Sequence, residues 1–157
     1  MPAATKKTRA SKPTRNDKRV TPPLVKKTNP DIYRFIDFFV KSGERIRGTK
    51  PMITRGKDGK LVSYALKKLP ESKLEMLALW FFCCKPTLQP TIGAMLSNAV
   101  LSELMDEMNR PTFWKAVSEL TDRYYPRTTH VRTWTPFSHT DITSMKESLA
   151  SAMRRMK

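Results

Sequence analysis

Cysteine is nearly absent from this chain: there are two, the neighbours Cys83 and Cys84. Adjacent cysteines rarely bridge, because the disulfide geometry is badly strained. Both are expected as small hydrophobes buried on a helix, which suits a reducing compartment. Histidine is as scarce, and His130 and His139 show no zinc-type spacing relative to the cysteines. The glycines form neither GxxxxGK[ST] nor GxGxxG, and HExxH, CxxC and a nucleophile elbow are missing too. The acids Glu103, Asp106 and Glu107 could bind a metal as nuclease carboxylates do. They fall opposite an apolar stripe, however, and read as solvated surface. The chain therefore reads as a binding protein and not an enzyme, with no metal and no cofactor. No apolar run approaches the length of a membrane span, and the first residues, MPAATKKTRA, hold no hydrophobic signal core. A cytoplasmic protein is expected (nuclear in a eukaryotic host), with no membrane partner.

Negative charge is also in short supply. Asp and Glu total 14 against 30 Lys and Arg, a formal net charge of +16. An excess of that size drives association with polyanions, and nucleic acid is the expected partner. The charge is unevenly placed. Residues 69–126 carry five basic side chains (Lys73, Lys85, Arg110, Lys115, Arg123) and seven acidic ones. The surplus sits instead in the first 28 residues, in a central stretch and at the C-terminal end, which is the bias a binding face produces.

That central stretch, residues 43–68, organises the reading: GERIRGTKPMITRGKDGKLVSYALKK. Arg45, Arg47, Lys50, Arg55, Lys57, Lys60, Lys67 and Lys68, with Lys41 at its edge, stand against Glu44 and Asp58. It also holds four of the five glycines. Two local structures fit. Asp58-Gly59 is hairpin-turn chemistry, and Val62, Tyr64 and Leu66 alternate as a strand would, giving a short β-hairpin over residues 52–64. Leu61, Ala65, Leu66 and Leu69 equally fit a short helix, and periodicity cannot decide over so few positions. Either way this cationic loop or hairpin is expected to contact phosphates.

The rest reads as a mainly α, small helical bundle. Residues 1–28 form a basic arm, with Lys6, Lys7 and Arg9 leading its cations and Asp17 its one acid. It cannot bury enough apolar surface to offset its ordering entropy, so it is expected disordered and available to grip phosphates. The helical core is assigned to residues 29–126. A first helix starts at Asn29-Pro30-Asp31, with cap, proline and acid each in its favoured place. Ile32, Phe35, Ile36 and Phe39 recur at helical spacing, and Tyr33, Phe38 and Val40 widen the apolar face, so deep burial is expected. Gly43 or Gly48 ends it. A central helix runs from about Pro70 to Cys84. After a connection with room for a helical turn, Ser97 caps a third helix carrying Val100, Leu101, Leu104, Met105 and Met108 inward. Arg110-Pro111-Thr112 opens a fourth, ended by Tyr125-Pro126.

Residues 127–157 are read as a loop and a C-terminal amphipathic helix. In the loop, Arg132 and Trp134 could hold a single strand by phosphate contact and stacking, or Trp134 and Phe137 could pin the loop to the core. The helix carries Ile142, Met145, Leu149, Ala152, Met153 and Met156 in a narrow stripe. That stripe either lies on its own domain or serves a protein partner or second copy, in which case Met145, Leu149, Met153 and Met156 make the contact.

Three segments, DIYRFIDFFVKSGER, KDGKLVSYALKKLPESKLEMLALWFF and RPTFWKAVSELTDRYY, resemble a helical module of phage and plasmid replication proteins over residues 31–125. The resemblance implies DNA binding or loading of replisome partners without catalysis, and carries over no individual functional residue. Residues 86–96 and the last helix lie outside it. The expected function is thus a non-catalytic nucleic-acid-binding accessory factor in phage or mobile-element replication, for DNA more than RNA. The alternatives are a viral coat-type protein with a packaging arm, a protein-directed inhibitor acting through the last helix, and a metal-dependent nuclease.

Overall fold

The computed structural model describes residues 29–126 and 136–155. The basic arm with Lys6, Lys7 and Arg9, the segment holding Arg132 and Trp134, and Met156 lie outside the described residues. Among those described the protein is all helix, without a strand: α1 (Pro30–Arg47), α2 (Arg55–Leu66), α3 (Glu71–Cys84), α4 (Ile92–Met95), α5 (Asn98–Met108), α6 (Phe113–Tyr124) and α7 (His139–Arg155).

Helix α3 is the axis of the bundle. Every residue from Leu74 to Phe82 is buried, the signature of a helix enclosed on all sides. Helices α1 and α6 flank it, while α2 lies between α1 and α7, and α5 closes the bundle against α6 and α7. The caps are local and specific. Asn29 Oδ1 accepts the Asp31 amide at 3.1 Å, Ser97 Oγ accepts that of Val100, and Thr91 Oγ1 that of Ala94. Helix α1 stops at Gly48, whose φ of 67° is the left-handed C-cap that glycine adopts at least cost.

The hairpin over residues 52–64 is not formed; that segment enters α2 instead. Asp58 decides it. Its carboxylate accepts the Thr54 amide at 2.6 Å while its own amide donates to the Thr54 carbonyl at 2.8 Å. The Asp58 side chain is thus consumed by closing the first turn of a helix and is buried there. Helical spacing then places Leu61, Val62 and Ala65 in the core, followed by Leu69. The cationic stretch is therefore no single loop: it ends α1, crosses residues 48–54 and becomes α2.

The stripe of α7 is spent on its own domain. Ile142, Met145, Leu149 and Ala152 are buried against the rest of the bundle. This corrects the assignment of Met145 and Leu149 to a partner surface; Met153 alone of the described stripe stays exposed. Phe137 is buried and packs edge-on against Phe113 and Trp114, so the chain leading into α7 is pinned to the core.

Candidate nucleic-acid interface

A groove of about 1310 Å³ runs between α1 and α2. Its floor is apolar. Helix α1 contributes Ile32, Ile36 and Val40 with Tyr33 beside them, the loop adds Pro51 and Ile53, and α2 adds Tyr64. Its rim is cationic. Six positive side chains line it: Lys41 from α1, Lys50 from the loop, Arg55 and Lys60 from α2, Lys67 just past its end, and Arg155 from the end of α7. Asp37 is the one acid among the lining residues.

Helical geometry makes this arrangement. Ile32, Ile36 and Val40 recur every fourth residue along α1, and Tyr33, Asp37 and Lys41 form the next row over. Phe35, Phe38 and Phe39 carry the same apolar arc on into the core. Ile32 and Ile36 lie at its edge, packed in part against the core, and their remaining surface forms the groove floor. Tyr33, expected in the interior, is 57% exposed, while Ile32, Ile36 and Val40 are only half-buried. On α2 the facing row is Gly56, Gly59, Lys60, Ser63 and Tyr64, continued by Lys67 at the C-cap, small near the helix start and cationic along its edge.

Among the described residues, no carboxylate pairs with Lys41, Lys50, Arg55 or Lys60. The ammonium of Lys67 lies 4.8 Å from the Tyr64 ring centroid, within the reach of a cation–π contact. Lys68 lines a smaller hollow of about 250 Å³ between α2 and α7, together with Lys67 and Arg155. Lys57 is exposed but lies off the groove.

Two cations expected to face phosphates do something else. Arg47 donates from Nε to the Phe82 carbonyl, from Nη1 to that of Leu88, and from Nη2 to those of Phe81 and Lys85. Burial pushes its guanidinium pKa below the ordinary value. Arg45 donates to the Tyr124 carbonyl at 2.6 Å and lies 5.0 Å from the centre of the Tyr125 ring. These arginines cap the C-termini of α3 and α6, where exposed carbonyls attract a cation. Arg45 and Arg47 are thus engaged within the protein and do not line the groove. Lys41, named at the edge of the cationic stretch, does line it, as do Arg155 and the exposed Tyr33, which the sequence did not single out as surface.

Two of the three acids in the nuclease reading are paired with cations. Glu103 pairs with Lys85 at 2.5 Å and Glu107 with Arg110 at 3.2 Å. Among the described residues no cluster of histidine, cysteine and carboxylates could hold a metal ion, and no helix is long and apolar enough to cross a membrane. Cys83 and Cys84 are free thiols, but against expectation neither is fully buried: Cys83 is half-buried and Cys84 is exposed. Burial, reinforced by Cys84, pushes the Cys83 thiol up to about 11, which leaves it protonated and unreactive at neutral pH. Comparison with known proteins gives no match: no family model, no curated protein and no solved structure matches the chain.

Proposed function

We propose that this protein binds nucleic acid without catalysing a reaction on it, and that the α1–α2 groove is its contact surface. The observation that carries this reading is the groove rim. Six cations converge on one concavity with a single acid among them, in a bundle whose residues 69–126 are mildly acidic. Concentrating positive charge in a cleft with low-dielectric walls focuses the field on an incoming polyanion. The basic arm, which precedes Asn29 at one end of the groove, adds reach and salt-sensitive affinity.

DNA is the partner the resemblance favours, and an accessory role in phage or mobile-element replication fits a small binding module of this kind. The free thiols suit a reducing compartment, hence the cytoplasm, or the nucleus in a eukaryotic host. The test is the salt dependence of binding to a labelled DNA. Six neutralised phosphates give a slope of log K against log salt of about −5 for a duplex and about −4 for a single strand. Reversing Lys41 and Lys60, on opposite walls, should make that slope shallower by roughly 2. An unchanged slope removes the groove from the interface.

A further inference from the structure

We infer that the groove takes single-stranded nucleic acid, with unpaired bases laid on its floor and the sugar-phosphate strand held by its rim. The inference rests on the proposed binding role and names the substrate class of the same site. A surface that only held a duplex would need cations alone, since a duplex turns its phosphates outward and keeps its base faces stacked inside. This groove offers more. Its floor presents Tyr33, 57% exposed, beside half-buried Ile32 and Ile36, all between two charged walls. Exposed aromatic and aliphatic surface left in water is costly, and a flexible strand with its bases turned inward covers it. A cationic track flanking aromatic rings is the general solution for single strands, because every base has a π face to stack.

Charge and ring meet once along the groove, where the Lys67 ammonium, just past the end of α2, lies 4.8 Å from the Tyr64 ring centroid. The α2 wall is also kept low. A Cβ built on Gly56 or Gly59 would meet nothing within 4 Å, and both glycines have ordinary helical backbone. Each therefore forgoes helix stability that alanine would supply, and the space so left lies on the groove side.

The experiment measures the affinity of the full chain for a labelled single-stranded oligonucleotide and for the matching duplex, at one salt concentration. Proteins compared are the unaltered chain, Tyr33→Ala, the Tyr33→Ala/Tyr64→Ala pair and Gly59→Leu. The single strand should bind more tightly than the duplex. Tyr33→Ala should weaken single-strand binding by about 10-fold, and the pair by on the order of 100-fold, with duplex binding unmoved. Gly59→Leu should narrow the groove and weaken single-strand binding while thermal stability holds or rises. Tyr33 is exposed, so its truncation keeps the test intact should the pair melt early. A duplex bound as tightly as the single strand, or single-strand binding indifferent to Tyr33, overturns this inference and leaves the binding role standing. Failure to bind either form overturns both.

Discussion

The guanidinium of Arg47 holds the end of α3 through Lys85, whose main-chain oxygen lies 2.6 Å from Nη2. The same side chain reaches the carbonyls of Phe81, Phe82 and Leu88, so one residue of α1 gathers main-chain oxygens at and just beyond the C-terminus of α3. Its guanidinium carbon also lies 5.2 Å from the Phe81 ring centroid and 5.3 Å from that of Phe82. Arg47→Ala should therefore lower the unfolding free energy by about 2–4 kcal/mol in urea titration, since charged hydrogen bonds of this kind are among the stronger ones. Arg47→Lys should recover only part, because a point charge cannot span the fork. Nucleic-acid affinity of the folded fraction should change little in either variant. A large loss of affinity at full stability would return Arg47 to the binding surface.

Lys57 and Lys60 are one helical turn apart on α2, and the structure separates them: Lys60 lines the groove and Lys57 does not. Lys60→Glu should weaken DNA binding and make the salt slope shallower by roughly 1 to 2. Lys57→Glu, an equal change in net charge, should act only through the weaker long-range field, which salt screens. Both should unfold at the same denaturant concentration as the unaltered chain. Equal losses from the two would mean that net charge, not the groove, sets affinity.

These side chains also show where sequence reading stops. Helices α1, α3, α5, α6 and α7 were legible because each couples an apolar stripe to a boundary signal: Asn29-Pro30, Pro70, Ser97, Arg110-Pro111 and, for α7, the polar start near Asp141. Helix α2 was not, since twelve residues with Gly56 and Gly59 fit two periods equally. The hydrogen bond from Thr54 to Asp58 that settles it is a single contact. Of the cationic cluster, Lys50, Arg55 and Lys60 line the groove, while Arg45 and Arg47 are held by carbonyls of the protein itself. Whether an arginine meets a phosphate or a carbonyl depends on partners remote in sequence, here 79 residues away at Tyr124 and 35 at Phe82. Tyr33 was misplaced for the converse reason: an apolar face does not reveal whether anything packs on it.

Asp141 supplies a pH-dependent tie between α3 and α7. Its carboxylate accepts from Lys73 Nζ at 2.6 Å and from the Ser138 amide at 2.8 Å, while Ser138 Oγ accepts the Asp141 amide at 3.2 Å. This is a reciprocal capping box with an added ion pair. The Lys73 hydrogen bond first, and the Ser138 amide second, hold the Asp141 pKa below its ordinary value of 3.8. A pKa depressed by folding adds stability that is full above the unfolded value and is lost as pH falls through the folded one. Asp141→Asn should thus cost about 1 kcal/mol near neutrality and flatten the fall in melting temperature below about pH 4. A variant curve parallel to that of the unaltered chain in acid would show that Asp141 is not the titrating group.

Gly43 couples the core to the groove. It is buried near the end of α1, and a Cβ placed there would lie 2.2 Å from Pro51 Cγ, 2.8 Å from Pro51 Cδ and 3.1 Å from Phe82 Cζ. Neither neighbour can yield easily: Pro51 is a buried rigid ring and Phe82 is a fully packed core residue whose ring lies tilted against that of Phe39, centroids 4.7 Å apart. In an exposed helix Gly→Ala stabilises by up to about 1 kcal/mol. Here overpacking should reverse the sign, and Gly43→Ala should lose about 1–3 kcal/mol in urea titration. The loop carrying Lys50, Pro51 and Ile53 must move outward, and those residues form one bank of the groove. Nucleic-acid affinity should therefore fall as well, measured where the variant is still folded. Gly59→Ala, with open space around its Cβ, should gain stability instead. Two glycine-to-alanine changes of opposite sign, on the two helices that wall the groove, would locate the close contact at Gly43 and the open wall at Gly59.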